Sequence, residues 1–279
     1  MSIFDQKVIK YEMKPLSSLE KVFPDETPVY RMECQMLSGL WGETVSFQVA
    51  YTGDFVMRER LDVRVVSELA EHVHVRTVEM VPVGRATNGI VDDNYLKTTS
   101  GLYPDLLKDL KDGKVIVYSR QWRSLWVDVD ITNEIPAGEY EIELQLIKEG
   151  EVVCSAKQKV TVIGTELPKL DIMHTEWMHA DCLADYYHVE VFSEEHWKLL
   201  ENYFQEYVKR DCNMMLTPLF TSPLDTAIGL ERTTCQLIDV EVKDGEYVFG
   251  FEKLKRWIDL CKKCGIEYFE MSHLFSQWG

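Results

Sequence analysis

Thr44-Val45-Ser46-Phe47-Gln48-Val49-Ala50-Tyr51 alternates, with Val45, Phe47, Val49 and Tyr51 as its larger apolar side chains. A period of two lays one face of a strand on a core and turns the other toward water. Leu61–Val65, His72–Val78 and Trp126–Ile131 repeat the pattern further along the chain. Pro136-Ala137-Gly138 is a turn signal, followed by an alternating run from Tyr140 to Leu146. Lys148-Glu149-Gly150-Glu151 then turns the chain into a strand reaching about Val162. Many short strands without a long helix predict an all-β antiparallel sandwich over residues 1–165. Thr87–Lys114 breaks the pattern and reads as a long loop with a short helix around Pro104–Leu110.

After Gly164-Thr165-Glu166-Leu167-Pro168 the period changes. Leu170–His174 is a short strand candidate, and a loop follows it. Ser193 then caps a helix whose first turn carries Glu194 and Glu195, where the helix dipole favours negative charge. Trp197, Leu200, Phe204 and Tyr207/Val208 give that helix one apolar face. Asn213–Thr217 is a second strand. Phe251, Leu254, Trp257/Ile258 and Cys261 mark another amphipathic helix, ended by Gly265. Ile266–Ser272 is a third strand. Between the second strand and second helix, Leu237–Val242 and Tyr247–Phe249 flank an Asp244-Gly245 hairpin turn.

Strand and helix in alternation imply right-handed crossovers and a parallel sheet. A complete α/β barrel needs about 250 residues. Residues 166–279 are therefore expected to supply an incomplete (β/α) barrel, its first two β/α units plus the third strand. The fold class expected is two-domain: sandwich, then partial barrel. The chain is expected to be the N-terminal fragment of a longer protein, because a parallel strand needs both faces covered; the competing reading is a small self-sufficient three-stranded α/β domain.

Composition narrows the function. The 279 residues carry 30 Lys+Arg against 47 Asp+Glu, a net charge of −17, and both halves are acidic. Phosphate contact needs a basic surface, so nucleic acid is excluded as a partner. Seven Trp, thirteen Tyr and eleven Phe are too much apolar mass for a disordered chain. No signal peptide and no membrane span is read, which predicts a cytoplasmic protein. The seven cysteines are irregularly spaced and read as reduced thiols. Cys261-Lys-Lys-Cys264 falls in the last turn of a helix and has no second pair to make a zinc site. Asp25-Glu26, Asp92-Asp93 and Glu194-Glu195 read as solvated turns and a charged helix start.

Three groups follow the three C-terminal strands: His174-Thr175-Glu176-Trp177-Met178-His179-Ala180-Asp181, then Thr217-Pro218-Leu219-Phe220, then Glu270, His273, Gln277 and Trp278. In a β/α array they would converge on one rim, where barrels place their chemistry. Aromatic faces beside His, Glu and Asp suit a sugar, whose C–H faces stack while its hydroxyls take hydrogen bonds. The opposing reading is packing for Trp177 and Trp278, and a satisfied core histidine for His174. His174, His179, Asp181 and His273 are also metal-ligand types, but H-x4-H-x-D fits no metal motif, so no metal or other cofactor is assigned.

The stretch LPKLDIMHTEWMHADCLADYYHVEVFSEEHWKLLENYF and the closing EYFEMSHLFSQWG resemble the bacterial family 123 glycoside hydrolase-like proteins, many of them described only as a domain of unknown function. SSLEKVFPDE, WGETVSFQVAY and IPAGEYEIELQL resemble the sandwich that precedes their catalytic barrel. The resemblance implies an exo-acting β-N-acetylhexosaminidase of the N-acetylgalactosaminidase type. Its mechanism would be substrate-assisted retention, an exception to the two-carboxylate scheme. The 2-acetamido carbonyl attacks the anomeric carbon, an Asp orients that amide, and the adjacent Glu is acid, then base. The chemistry needs neighbouring carboxyl groups in different protonation states.

No Asp-Glu pair stands on a strand end here, so no catalytic residue is assigned; the pair is expected beyond Gly279. His174, Trp177, His179, Asp181, His273, Gln277 and Trp278 match rim positions and are the substrate-binding candidates, for a glycan containing N-acetylhexosamine. Residues 1–279 alone are expected to be inactive. Two other readings stay open: a carbohydrate-binding or architectural sandwich without catalysis, and a metal-dependent hydrolase. Sugar, linkage and oligomeric state are not legible.

Overall fold

The structure, a computed structural model, describes residues 10–29, 36–55, 58–87, 89–169, 171–221 and 230–272. It is rich in β-strand and divides into two compact units, Met1–Pro168 and Lys169–Gly279.

The first unit is built from two five-stranded sheets. One has the order β1 (Lys10–Ser17), β3 (Thr44–Asp54), β8 (Arg123–Asp130), β5 (Val73–Val83) and β6 (Gly101–Asp109), antiparallel throughout. The other runs β2 (Met36–Trp41), β10 (Glu151–Glu166), β9 (Gly138–Lys148), β4 (Glu59–Val66) and β7 (Lys114–Val117). The alternating residues meet between the sheets. Phe47, Val49 and Tyr51 of β3 and Leu125, Val127 and Val129 of β8 pack against Leu61, Ile142, Leu144, Leu146 and Val160. Each such side chain, fully buried, stabilises the fold by about 1.5–3 kcal/mol.

Three details depart from the sequence reading. First, the sandwich is not wholly antiparallel, because β2 pairs parallel to β10. Gly39 of β2 also lies tight against the opposing sheet: a Cβ there would lie 2.5 Å from Val45 and 2.6 Å from Ile131. Second, Pro104–Leu110 forms no helix. Residues 101–109 are the edge strand β6, paired with β5 alone, and the register shifts beside Pro104. An edge position with a bulge tolerates a residue without an N–H, and its mostly exposed side chains show no alternation. Third, the outer face of β3 is not all solvated. Gln48 is buried; its amide donates to the carbonyls of Ser17, Ser18 and Glu20 and accepts from Ser124, while Ala50 packs with Leu16, Val22 and Trp122.

The second unit contains α1 (Ala180–Tyr187), α2 (Glu194–Val208), β11 (Met214–Thr217), the hairpin β12 (Asp239–Lys243) and β13 (Glu246–Gly250), α3 (Glu252–Cys264) and β14 (Tyr268–Met271). β11 and β14 pair in parallel, from Met214 opposite Tyr268 to Thr217 opposite Met271. Ser193 caps α2 by accepting the His196 N–H at 3.2 Å. Gly265, at φ 105°, ends α3 in the left-handed conformation glycine adopts without strain. Asp244 and Gly245 both have positive φ, as a two-residue hairpin turn requires.

Met215 and Phe269 lie on the sheet face covered by Trp197, Leu200 and Phe204 of α2 and Trp257 and Cys261 of α3. Arg256 clamps both carboxylate oxygens of Glu194 at 2.7 Å, tying α3 to the start of α2. The expected loop before α2 contains α1, and residues 171–174 form no strand; Leu170 lies outside the described residues. No helix among the described residues is long and apolar enough to cross a membrane.

Candidate functional site

Residues 172–176 are tied to the start of β11 by side chains and two backbone bonds, without a regular ladder. Asn213 accepts the His174 N–H with Oδ1 and donates Nδ2–H to the Ile172 carbonyl, both at 2.8 Å. The His174 carbonyl takes the N–H groups of Asn213 and Met214. The Tyr207 hydroxyl of α2 accepts the Glu176 N–H at 2.7 Å and lies 2.7 Å from the Met214 carbonyl and 2.9 Å from that of Glu176. Burial pushes the Tyr207 phenol above its ordinary range against the opposing pull of its Thr175 and Glu176 hydrogen bonds, so it stays protonated and can donate. These contacts replace the strand expected at Leu170–His174: two side chains satisfy backbone groups that a sheet would otherwise pair.

This arrangement separates the candidates. His174 lies against the start of β11, its ring 3.2 Å from the Asp211 carbonyl, 3.4 Å from Glu176 and beside the Cys212 sulfur. Trp177 lies further along. Its indole N–H donates to Glu270 Oε2 at 3.0 Å, while the residue remains 54% exposed. Glu270 is opposite Leu216 in the ladder, on the face away from Met215 and Phe269. An exposed indole fixed at its edge by a carboxylate can serve as a stacking platform for an apolar ring surface.

His179, at the N-cap of α1, lines a crevice with Met178, Leu216, Pro218, Thr221 and Ser272. Asp181 faces the same crevice, but its carboxylate receives two hydrogen bonds from Arg232, at 2.5 and 2.9 Å, and both side chains are almost buried. Asp181 thus holds its position through an ion pair that the sequence reading did not foresee. Thr217 is buried and its hydroxyl donates to the Met215 carbonyl. Ser272 Oγ meets the Phe220 backbone at 3.4 Å. His273, Gln277 and Trp278 lie outside the described residues. The structure therefore brings Trp177 to Glu270 and His179 to Asp181 near the ends of β11 and β14, and leaves His174 at the opposite end of β11.

Among the described residues no group of three or more His, Cys, Asp or Glu is arranged to hold a metal ion. Cys261 and Cys264 are free thiols. Burial raises both pKa values, and Cys264 Sγ points to the Glu201 carbonyl. A thiol held protonated is a poor nucleophile and a poor ligand.

Residues 177–279 match the glycoside hydrolase 123 catalytic domain. Over 92% of its length the chain is similar in fold to a family 123 glycoside hydrolase from Clostridium perfringens, described for glycolipid glycan hydrolysis, with a TM-score of 0.67 and 14% identity. The match covers 46% of that protein, so the chain spans about half its length. The resemblance read from the sequence is thereby borne out. A β-glucosidase from Listeria innocua matches at a TM-score of 0.26 and 10% identity over 57% of this chain and 17% of that one, too low to carry an argument. No curated protein matches.

Proposed function

We propose, from the match of residues 177–279 to a glycoside hydrolase 123 catalytic domain, that this chain belongs to a glycosidase acting on glycans that contain N-acetylhexosamine. β11 and β14 are then neighbouring strands of a (β/α) barrel, α2 and α3 its outer helices, and 171–179 the lane of a preceding strand. The face turned away from α2 and α3, with Leu216, Glu270 and Trp177, is the barrel interior, and the strand ends carry part of the sugar-binding rim. The observation that carries this reading is the Trp177–Glu270 pair, an exposed indole positioned by a carboxylate inside the matched segment.

In this reading Trp177 stacks on a pyranose, Glu270 orients the indole, and His179 lines the adjoining crevice; His273, Gln277 and Trp278 complete the candidate contacts. Asp181 positions α1 through Arg232 and does not touch sugar. In the whole protein, hydrolysis proceeds by attack of the substrate's own 2-acetamido oxygen on the anomeric carbon, with an adjacent Asp-Glu pair orienting the amide and transferring the proton. No residue of 1–279 is given either role.

The test is two measurements on the chain. An oligosaccharide ending in N-acetylgalactosamine should bind the chain, and Trp177→Ala should weaken that binding at least tenfold. Hydrolysis of aryl N-acetylhexosaminides by residues 1–279 should be undetectable. Turnover would refute the absence of a catalytic pair, and binding unaffected by Trp177→Ala would refute the rim.

A further inference from the structure

The sandwich unit has a cleft of about 700 Å³ on the side where edge strand β7 faces β5 and β6. Small-molecule sites span about 300–1,000 Å³. Tyr51, Val78 and Val115 line it and are themselves buried. Its walls are unexpectedly basic for a chain of net charge −17: Arg58, Arg60, Lys108, Lys111, Lys114 and Arg123 against Glu59, Glu79 and Asp109.

Pairing sharpens the imbalance. Arg60 is matched by Asp112 at 2.9 Å and Lys114 by Asp62 at 3.1 Å. Glu59 is already bound by Lys148 at 2.8 Å, and Asp109 lies 3.5 Å from Arg76. Arg58, Lys108, Lys111 and Arg123 have no carboxylate partner among the described residues, and Glu79 alone remains to oppose them. Arg123 carries the most informative contact set. Its guanidinium lies over the Tyr118 ring at 5.0 Å and one terminal nitrogen donates to Gln121 at 2.9 Å, yet its Nε is buried with no partner among the described residues. A desolvated cationic donor left unmatched costs free energy, and such groups in native folds call for an explanation.

We propose that this cleft binds an anionic saccharide, with its carboxylate or sulfate group against Arg123, Lys108 and Lys111 and its carbon skeleton on Tyr118 and the apolar floor. The volume exceeds what an inorganic ion fills, and the tyrosine and valine surface suits a ring. Anion binding follows from the cleft itself; the narrowing from an organic anion to a saccharide rests on the proposed function.

The experiment is calorimetric titration of the full chain at low salt with three probes: a sulfated, uronate-containing disaccharide, a neutral disaccharide and citrate. The sulfated disaccharide should bind saturably, more tightly than citrate, and more weakly as salt is added; the neutral one should not bind. The exposed pair Lys108→Gln/Lys111→Gln should lose at least tenfold in affinity with an unchanged melting temperature, and Arg123→Gln should lose as much. Trp177→Ala should leave this binding intact, which separates it from the rim. No saturable binding, full affinity in both cleft variants, or loss of affinity on Trp177→Ala would overturn the proposal. Citrate binding as tightly as the disaccharide would overturn the saccharide assignment, whatever the outcome at Trp177.

Discussion

The two units bury their apolar surface in opposite ways. In the sandwich, sheet faces sheet, so Phe47, Leu125, Ile142 and Leu144 find partners on both sides of one core. In the second unit α2 and α3 cover the face of the β11–β14 pair that carries Met215 and Phe269. The other face carries a carboxylate, Glu270, and an exposed indole, Trp177. A face packed on another sheet has room only for apolar groups, whereas a face that α2 and α3 leave uncovered can hold polar side chains at positions fixed by a ladder. The same strand geometry thus supports a core in one unit and a candidate site in the other.

Trp257→Ala should show the largest effect. The indole is fully buried, with Phe204 at 5.0 Å and Trp197 at 6.5 Å between ring centroids. Its loss should cost about 3–5 kcal/mol. Hydrogen exchange should then show protection falling in α2, α3 and β11 while β3 and β8 keep theirs; equal losses in both units would break the comparison. Trp257→Phe should be milder, because the indole N–H has no partner among the described residues.

Asp181→Ala comes next, at about 3 kcal/mol by urea denaturation, since it strips a nearly buried guanidinium of its carboxylate. Arg232→Met added to it should recover part of the loss. Full stability in the single variant would mean that the pair contributes nothing.

His196 offers a pH test. It is fully buried, its Nδ1 accepts the Phe192 N–H and its Nε2–H donates to the Ala180 carbonyl, both at 2.9 Å, so the fold holds it neutral. Burial lowers its pKa, opposed by the Ala180 hydrogen bond and the Asp181 charge. The unfolded chain therefore binds the proton more readily below the ordinary value of about 6.5. The stabilisation is present in full above that value and is lost as pH falls through the lowered one. The slope contributed by this one group cannot exceed about 1.4 kcal/mol per pH unit. Stability of the second unit measured from pH 7 to 5 should carry this component, and His196→Gln should remove it.

Much of the fold was legible because its signals are local. The alternation around Trp126–Ile131, the Ser193 cap, the Asp244-Gly245 turn and Gly265 each act within a few residues. β6 was hidden because an edge strand with exposed side chains has no face to alternate. The parallel β2–β10 pair was hidden because its partners lie over a hundred residues apart. In the candidate site, Trp177 and His179 were legible as residue types in a loop. The devices that place them were not: Tyr207 occupies a helical core position and works through its hydroxyl, Asn213 opens a strand, and Arg232 meets Asp181 across 51 positions. That clamp by Asn213 and Tyr207 is also why His174 sits away from the rim.

The smallest effect on stability should be the most telling for function. Trp177→Ala should change stability by less than about 0.5 kcal/mol, as an exposed side chain does. Indole N–H signals in a nitrogen-15 spectrum, with the Trp177 peak assigned through Trp177→Phe, report each tryptophan separately. On titration with an N-acetylgalactosamine oligosaccharide the Trp177 signal should move while those of Trp122, Trp126 and Trp257 stay in place. Movement confined to Trp122 or Trp126, or a Trp177 signal that does not respond at saturation, would contradict the assignment of the sugar site to the face turned away from α2 and α3.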